Sequence, residues 1–192
     1  MKRFIRDLDV LEVQNQQVRG AGRVSARPGV TNHHSEHYPV GSVLIQVSGE
    51  ANLDGSGGIA AVCRNASGTY LGSSGLRISG IKDQVALGTL AIREGLDLAM
   101  DLHEQNIIIS CDNGRAVKEL DEKRGGAQAA IVKEITSRLP VFNSFYFKSS
   151  SSSSVKHAKN LAKFLITLPL GCHTWLVSPH DESCIPVNVV VE

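Results

Sequence analysis

The sequence has almost no excess charge of either sign, with 20 Lys and Arg against 19 Asp and Glu for a formal net charge of +1. A global positive field of the kind that attracts nucleic acid is therefore absent, and any such binding has to come from a local patch. Long hydrophobic runs are missing too. No stretch approaches the ~18 apolar residues of a membrane span, and the opening Met1-Lys2-Arg3-Phe4-Ile5-Arg6 is too charged for a secretory leader. These absences predict an intracellular protein, cytoplasmic or nuclear, with no membrane partner. Cysteine is sparse, at 63, 111, 172 and 184, without paired zinc spacing. Cys63 and Cys111 lie inside apolar runs, where a thiol behaves as a small hydrophobe, so reduced core cysteines are expected.

Residues 1–42 mix Gly, Pro, His, Gln and Arg without a sustained period, which predicts a poorly structured N-terminal extension with at most a short helix near Phe4–Val13. His33, His34 and His37 sit between Pro28-Gly29 and Pro39, which argues against a helix that would aim them at one metal. From Val43 the pattern changes to short apolar runs broken by glycine, among them Val43–Val47, Gly58–Cys63 and Thr69–Gly72. Asp54-Gly55-Ser56-Gly57-Gly58 and Asn65-Ala66-Ser67-Gly68 fall between them as tight connections, so an antiparallel meander is predicted. Taken alone, Asp54 reads as a turn-former before glycine.

The segment from Asp83 to Arg115 organises the rest. Leu87, Ala91, Ile92, Leu96, Leu98, Ala99 and Leu102 fall on about half of a helical wheel, with Arg93, Glu94, Asp97, Asp101 and Glu104 on the other half. Ile107–Cys111 follows as an uncharged, β-branched strand suited to burial on both faces, and Asp112 stands at its carboxyl end. In open α/β sheets that edge collects ligands and chemistry. Asp112 or Asn113 opening the next helix is equally a normal N-cap, and both readings stand at this point. Short helices over 113–121 and 127–138, a strand over 141–147, six serines at 149–154 and a helix over 155–166 complete the order βββαβααβα. That order predicts an α/β fold with a mixed five-stranded sheet, helices on its faces, in a domain spanning 43–168 with a C-terminal tail at 169–192.

Several segments carry a more specific likeness: Asn52-Leu53-Asp54-Gly55-Ser56, Gly58-Ile59-Ala60-Ala61-Val62-Cys63-Arg64-Asn65-Ala66-Ser67-Gly68, Leu90-Ala91-Ile92-Arg93-Glu94-Gly95-Leu96 and Ile109-Ser110-Cys111-Asp112. Together, in this order, they resemble the ribonuclease H type-1-like, or reverse-transcriptase-like, domain proteins of plants. The resemblance implies a ribonuclease H-like fold and cleavage of the RNA strand of an RNA–DNA hybrid by two Mg²⁺ ions held by four carboxylates. It assigns Asp54 as the first acid and Asp112 as the third, as catalytic and metal-binding residues. The second acid falls on Gly88 and the fourth on Lys159, so two of the four are replaced. A glutamate at 88 would point from the buried arc toward the other acids, and losing glycine would relieve up to ~1 kcal/mol of helix penalty. Asp181 or Glu182 in the tail is a possible source of a replacement oxygen, although nothing in the sequence places either at the site.

A lysine beside the site replaces attraction for Mg²⁺ with repulsion, worth ~4 kcal/mol for one unit pair at 4 Å and an effective ε of about 20. Weak or lost activity is the expectation. The function implied is a ribonuclease H-like nucleic-acid-binding domain; the alternative is a non-catalytic nucleic-acid or protein interaction module on the same fold. Lys118, Lys123 and Arg124 form a small basic cluster after Asp112 that could meet phosphates, or serve simply as a solvated helix end.

Overall fold

Val43, Ile45 and Val47 alternate with Gln46 and Ser48, and this period of two makes Val43–Ala51 a strand (β1) with one face sealed in an aliphatic core. In the computed structural model, which describes residues 38–122 and 126–189, β1 lies at the centre of the sheet. Ser56–Arg64 (β2) and Tyr70–Ser79 (β3) follow as antiparallel neighbours. The helix Gln84–Asp101 (α1) then crosses to Asn106–Cys111 (β4), which pairs parallel to β1 on its other side. Gly114–Asp121 (α2) and Ala129–Arg138 (α3) precede Ser144–Ser149 (β5), the parallel neighbour of β4. Lys156–Leu165 (α4) and Gly171–Trp175 (β6) complete the domain, giving the order β5-β4-β1-β2-β3-β6.

The mixed α/β fold is as expected, with one strand more. Of the segment 169–192 expected to form a tail, the described residues 169–189 pack onto the domain. β6 pairs antiparallel with β3, and Ile185 is fully buried among α4 residues. Arg64 helps to hold this segment: it is only 3% exposed and, among the described residues, forms no ion pair with an acid. Its guanidinium donates to the carbonyls of Gly68 (3.1 Å), Val187 (3.3 Å) and Pro186 (2.7 Å), so the segment supplies acceptors that a buried cation requires. Residues 1–37, with the histidine group and the short helix near Phe4–Val13, lie outside the described residues.

Two cores flank the sheet. Ile45, Val47, Ile59, Ala61, Ile107 and Ile109 face α1, α2 and α3, while Ala60 and Val62 face α4 through Ala158, Leu161, Ala162 and Leu165. Gly58 permits the second packing, because a Cβ there would lie 2.0 Å from the Ala162 carbonyl oxygen. Glu94, assigned by the wheel to the solvated half of α1, is instead 4% exposed. The sheet below α1 is wider than a single stripe, and burial raises the Glu94 carboxyl above its ordinary range, with Ser74 pulling it back. Cys63 and Cys111 are buried free thiols, Cys111 pushed up to about 12 by desolvation. Among the described residues no helix is long and apolar enough to cross a membrane.

Candidate functional site

Asn113, not Asp112, caps α2: its side-chain oxygen accepts from the Ala116 amide at 3.0 Å and its amide nitrogen donates to the Gln84 carbonyl at 2.6 Å. That resolves the two readings of the Asp112-Asn113 pair and leaves the Asp112 carboxylate free to face the sheet's carboxyl edge. The parallel register of β1 with β4 pairs Val47 with Cys111, so the next residues, Ser48 and Asp112, stand side by side. Ser48 Oγ lies 3.5 Å from Asp112 Oδ1. Across them reaches Lys159 of α4, its ammonium 3.2 Å from Glu50 Oε1 and 3.9 Å from Asp112 Oδ2, and it also donates to Ser152 Oγ at 2.8 Å. Burial raises the Asp112 carboxyl above the usual range; Lys159 opposes that shift and Glu50 adds to it.

Asp54 is elsewhere. β1 continues from Ser48 to Ala51, about 10 Å of extended chain at ~3.3 Å per residue, and Asp54 lies in the turn beyond it. There Asp54 Oδ1 accepts from the Ser56 amide at 2.8 Å and the Ser56 hydroxyl at 2.6 Å, bonds that hold its carboxyl below the ordinary range. The structure does not bring Asp54 beside Asp112: Asp54 lies in the hairpin turn between β1 and β2, and the β1 residue beside Asp112 is Ser48. Sequence reasoning missed Ser48 and Glu50 as neighbours of the Asp112–Lys159 pair because the Asp-Gly-Ser triplet drew attention to the turn beyond them. The signal that could have found them is the apolar alternation Val43, Ile45, Val47, which marks where β1 runs.

Gly88 faces the start of α2, where a Cβ would lie 2.7 Å from Asn113 Cβ and 3.0 Å from Ala116 Cβ. α2 has closed onto the glycine, so a glutamate at this position requires α2 to move, a cost set against the relief of helix penalty. Asp181 Oδ1 accepts from Ser183 N (2.8 Å) and Ser183 Oγ (2.7 Å) within its own turn. Lys118 is exposed and 3.7 Å from Glu122, while Lys123 and Arg124 lie outside the described residues. The serine loop is exposed from Ser151 to Ser154, yet it is fastened at Ser110 Oγ to Ser150 Oγ (2.6 Å), Gln46 Nε2 to the Ser154 carbonyl (2.8 Å) and Lys159 to Ser152.

A sequence-family model described as reverse transcriptase-like matches residues 47–165, from the strand that carries Ser48 to the end of α4. The chain belongs to the reverse transcriptase-like family. Solved structures agree on the fold. The ribonuclease H1 of Halobacterium salinarum superposes with a TM-score of 0.61 at 15% identity, covering 66% of this chain and 98% of that one. The N-terminal ribonuclease H domain of a Mycobacterium tuberculosis protein gives 0.60 at 18% identity, covering 66% and 94%. A ribonuclease H1 isolated from compost, solved with an RNA/DNA hybrid, gives 0.54 at 18% identity, covering 65% and 96%. A search of curated proteins returns no match.

Of the places that the resemblance names within this reverse transcriptase-like domain, Asp54 lies in the turn after β1, Gly88 lies under α2, and Asp112 and Lys159 meet beside Ser48. Among the described residues no group of three or more His, Cys, Asp or Glu converges to hold a metal. Mg²⁺ requires oxygen donors with net negative charge, and here an ammonium lies between the two available carboxylates, Glu50 and Asp112. The residues do not fit a two-metal centre.

Proposed function

We propose that this protein is a ribonuclease H-like domain that binds nucleic acid without hydrolysing it. The observation that carries the reading is the Lys159 ammonium, 3.2 Å from Glu50 and 3.9 Å from Asp112 at the sheet's carboxyl edge. It neutralises the charge that would otherwise recruit a cation, and it makes the carboxylates partners of the fold. Ser48 and Gly88 support the same reading, since neither offers a carboxylate to complete a metal pair. Mg²⁺ is accordingly not a cofactor of this chain.

The family relation and the ribonuclease H fold support nucleic acid as the ligand class. The test has two arms on the same preparation. A labelled RNA–DNA hybrid incubated with Mg²⁺ is expected to stay intact, with an EDTA sample indistinguishable from it, while anisotropy of labelled nucleic acids reports binding. Robust Mg²⁺-dependent cutting by the unmodified protein, abolished by Asp112→Asn, would overturn the non-catalytic reading. Cutting that survives Asp112→Asn would point to a contaminating nuclease.

A further inference from the structure

The near-zero net charge conceals a strong segregation. Residues 135–180 contain no Asp or Glu, yet they include Arg138, Lys148, Lys156, Lys159 and Lys163. This acid-free stretch builds β5, α4 and β6. Lys156 and Lys163 are exposed and lie seven residues apart, two turns of helix, so they share one side of α4. Lys159 is committed to Glu50 and Asp112.

Aromatic rings bracket this helix on the same face of the sheet. At one edge, Trp175 of β6 packs against the α4 core, and the rings run on from it: His173 at 6.2 Å and 18°, His180 at 5.4 Å, and Phe164 stacked on His180 at 4.2 Å. At the other edge stands Tyr146, 40% exposed, with Tyr38 edge-on at 5.4 Å and the Lys148 ammonium 5.9 Å from the Tyr38 ring centre. Tyr146 and Lys148 share the face of α4 by register, Tyr146 pairing through Ile108 and Leu44, and Lys148 through Ser110 and Gln46 to Val62 of the α4 core. Six strands at ~4.8 Å spacing make this face about 24 Å wide. The acids that face it are Glu50 and Asp112, both paired with Lys159, and Asp181 and Glu182 next to His180.

Rings at both ends with lysines between them match a chain that offers phosphates and unpaired bases together; a duplex keeps its base faces stacked inside. Building on the nucleic-acid reading above, we infer that this face binds single-stranded nucleic acid, with bases stacking at Tyr146 and at the Trp175–His180 cluster and phosphates meeting Lys148, Lys156 and Lys163. Ser48, Asp112 and Lys159 lie on the same face, and the contacts assigned to the ligand are made by other residues.

The experiment uses the full chain and a labelled oligouridine of about 15 nucleotides, comparable to single-strand site sizes. The chain contains one tryptophan, so emission reports Trp175 alone. Binding is expected to quench that emission. Combining Lys156→Glu with Lys163→Glu is expected to weaken binding at least about tenfold and to lower the slope of log K against log salt by about 1.4, or ~0.7 per lost phosphate contact. Lys133→Glu, exposed on α3 on the opposite face, is expected to change neither. Undiminished binding by the double variant, unquenched Trp175, or tighter binding of a hybrid duplex than of the oligouridine would overturn the inference while leaving nucleic-acid binding intact. Failure to bind either ligand would sink both.

Discussion

The Ser48 hydroxyl lies 3.5 Å from the Asp112 carboxylate on the neighbouring parallel strand. In this reverse transcriptase-like domain the pair joins β1 to the carboxyl end of β4 at the sheet's centre. The hydroxyl carries no charge, and the balance at the site is closed from α4 by the Lys159 ammonium. The two fit together: an uncharged hydroxyl beside Asp112 accommodates the lysine, and with the lysine present a second carboxylate would serve the ion pair before it served a metal.

Rebuilding the centre should therefore begin with these two residues. Ser48→Asp together with Lys159→Asp is expected to create a cation site with Glu50 and Asp112. The melting temperature of the double variant should rise with added Mg²⁺ and that of the unmodified protein should not. At a free ligand concentration of 100 times Kd the linkage gain is about 2.7 kcal/mol. A Mg²⁺-independent melting temperature in the double variant would refute the geometry.

Adding Gly88→Glu is expected to cost stability, about 1–3 kcal/mol for forcing side-chain atoms into a filled contact, because Asn113 Cβ would sit 2.7 Å from the new Cβ. Denaturant melts of Gly88→Ala isolate the steric part. A neutral or stabilising result there would show that α2 yields freely.

Arg64 is expected to anchor the C-terminal segment. Arg64→Leu removes three donor contacts to Gly68, Pro186 and Val187, and should cost about 2 kcal/mol or more, as for hydrogen bonds from a charged group. Hydrogen exchange should rise selectively over residues 176–189. Uniform destabilisation without local exposure would assign Arg64 to general packing.

Two buried groups set opposite pH trends. Desolvation, with Arg64 and Lys156 adding to it, lowers the His157 imidazole to about 4. Its folded value lies below its unfolded value, so stability is lost as pH falls from about 6.5 through 4. Glu94 is shifted upward from its ordinary 4.5, so its buried charge costs stability that is fully felt only above its folded value. Glu94→Gln should raise the melting temperature at pH 7 and lose that advantage near pH 4. His157→Leu should flatten the acid limb in urea melts taken between pH 4 and 7. The reverse ordering of either variant would show that these groups are solvated.

Gly58→Ala tests the second core. Its Cβ would meet the Ala162 carbonyl oxygen at 2.0 Å, and a rigid backbone atom cannot rotate away. A loss of more than about 2 kcal/mol is expected by the scale of overpacking, with α4 displaced from β2. Unchanged stability would mean that α4 rides higher than described.

The strand and helix periods are written locally, and they were legible. Val43, Ile45 and Val47, the α1 stripe, and the Ile107–Cys111 run specify elements by burial of one face or two, and this suffices for the α/β order and the family likeness. Asp112 at the end of β4 and Lys159 on α4 were likewise readable, because each is positioned by its own element. Ser48 was not. Which residue of β1 lies beside Asp112 depends on a parallel register between segments more than sixty residues apart, set by packing of Ile45 and Val47 beneath α1. An Asp-Gly-Ser triplet resembles a site word whether it ends a strand or turns a hairpin, and only the pairing of β1 with β4 separates the two. The same holds for Glu94 and for the C-terminal segment. Burial of a charge depends on how wide the opposing sheet is, and the capture of residues 171–187 depends on the free edge of β3 and the unmet donors of Arg64. The sequence by itself determined the elements and their order. The tertiary structure alone decided that Ser48, and not Asp54, stands beside Asp112, because side-by-side placement is a property of long-range pairing and not of any local run of residues.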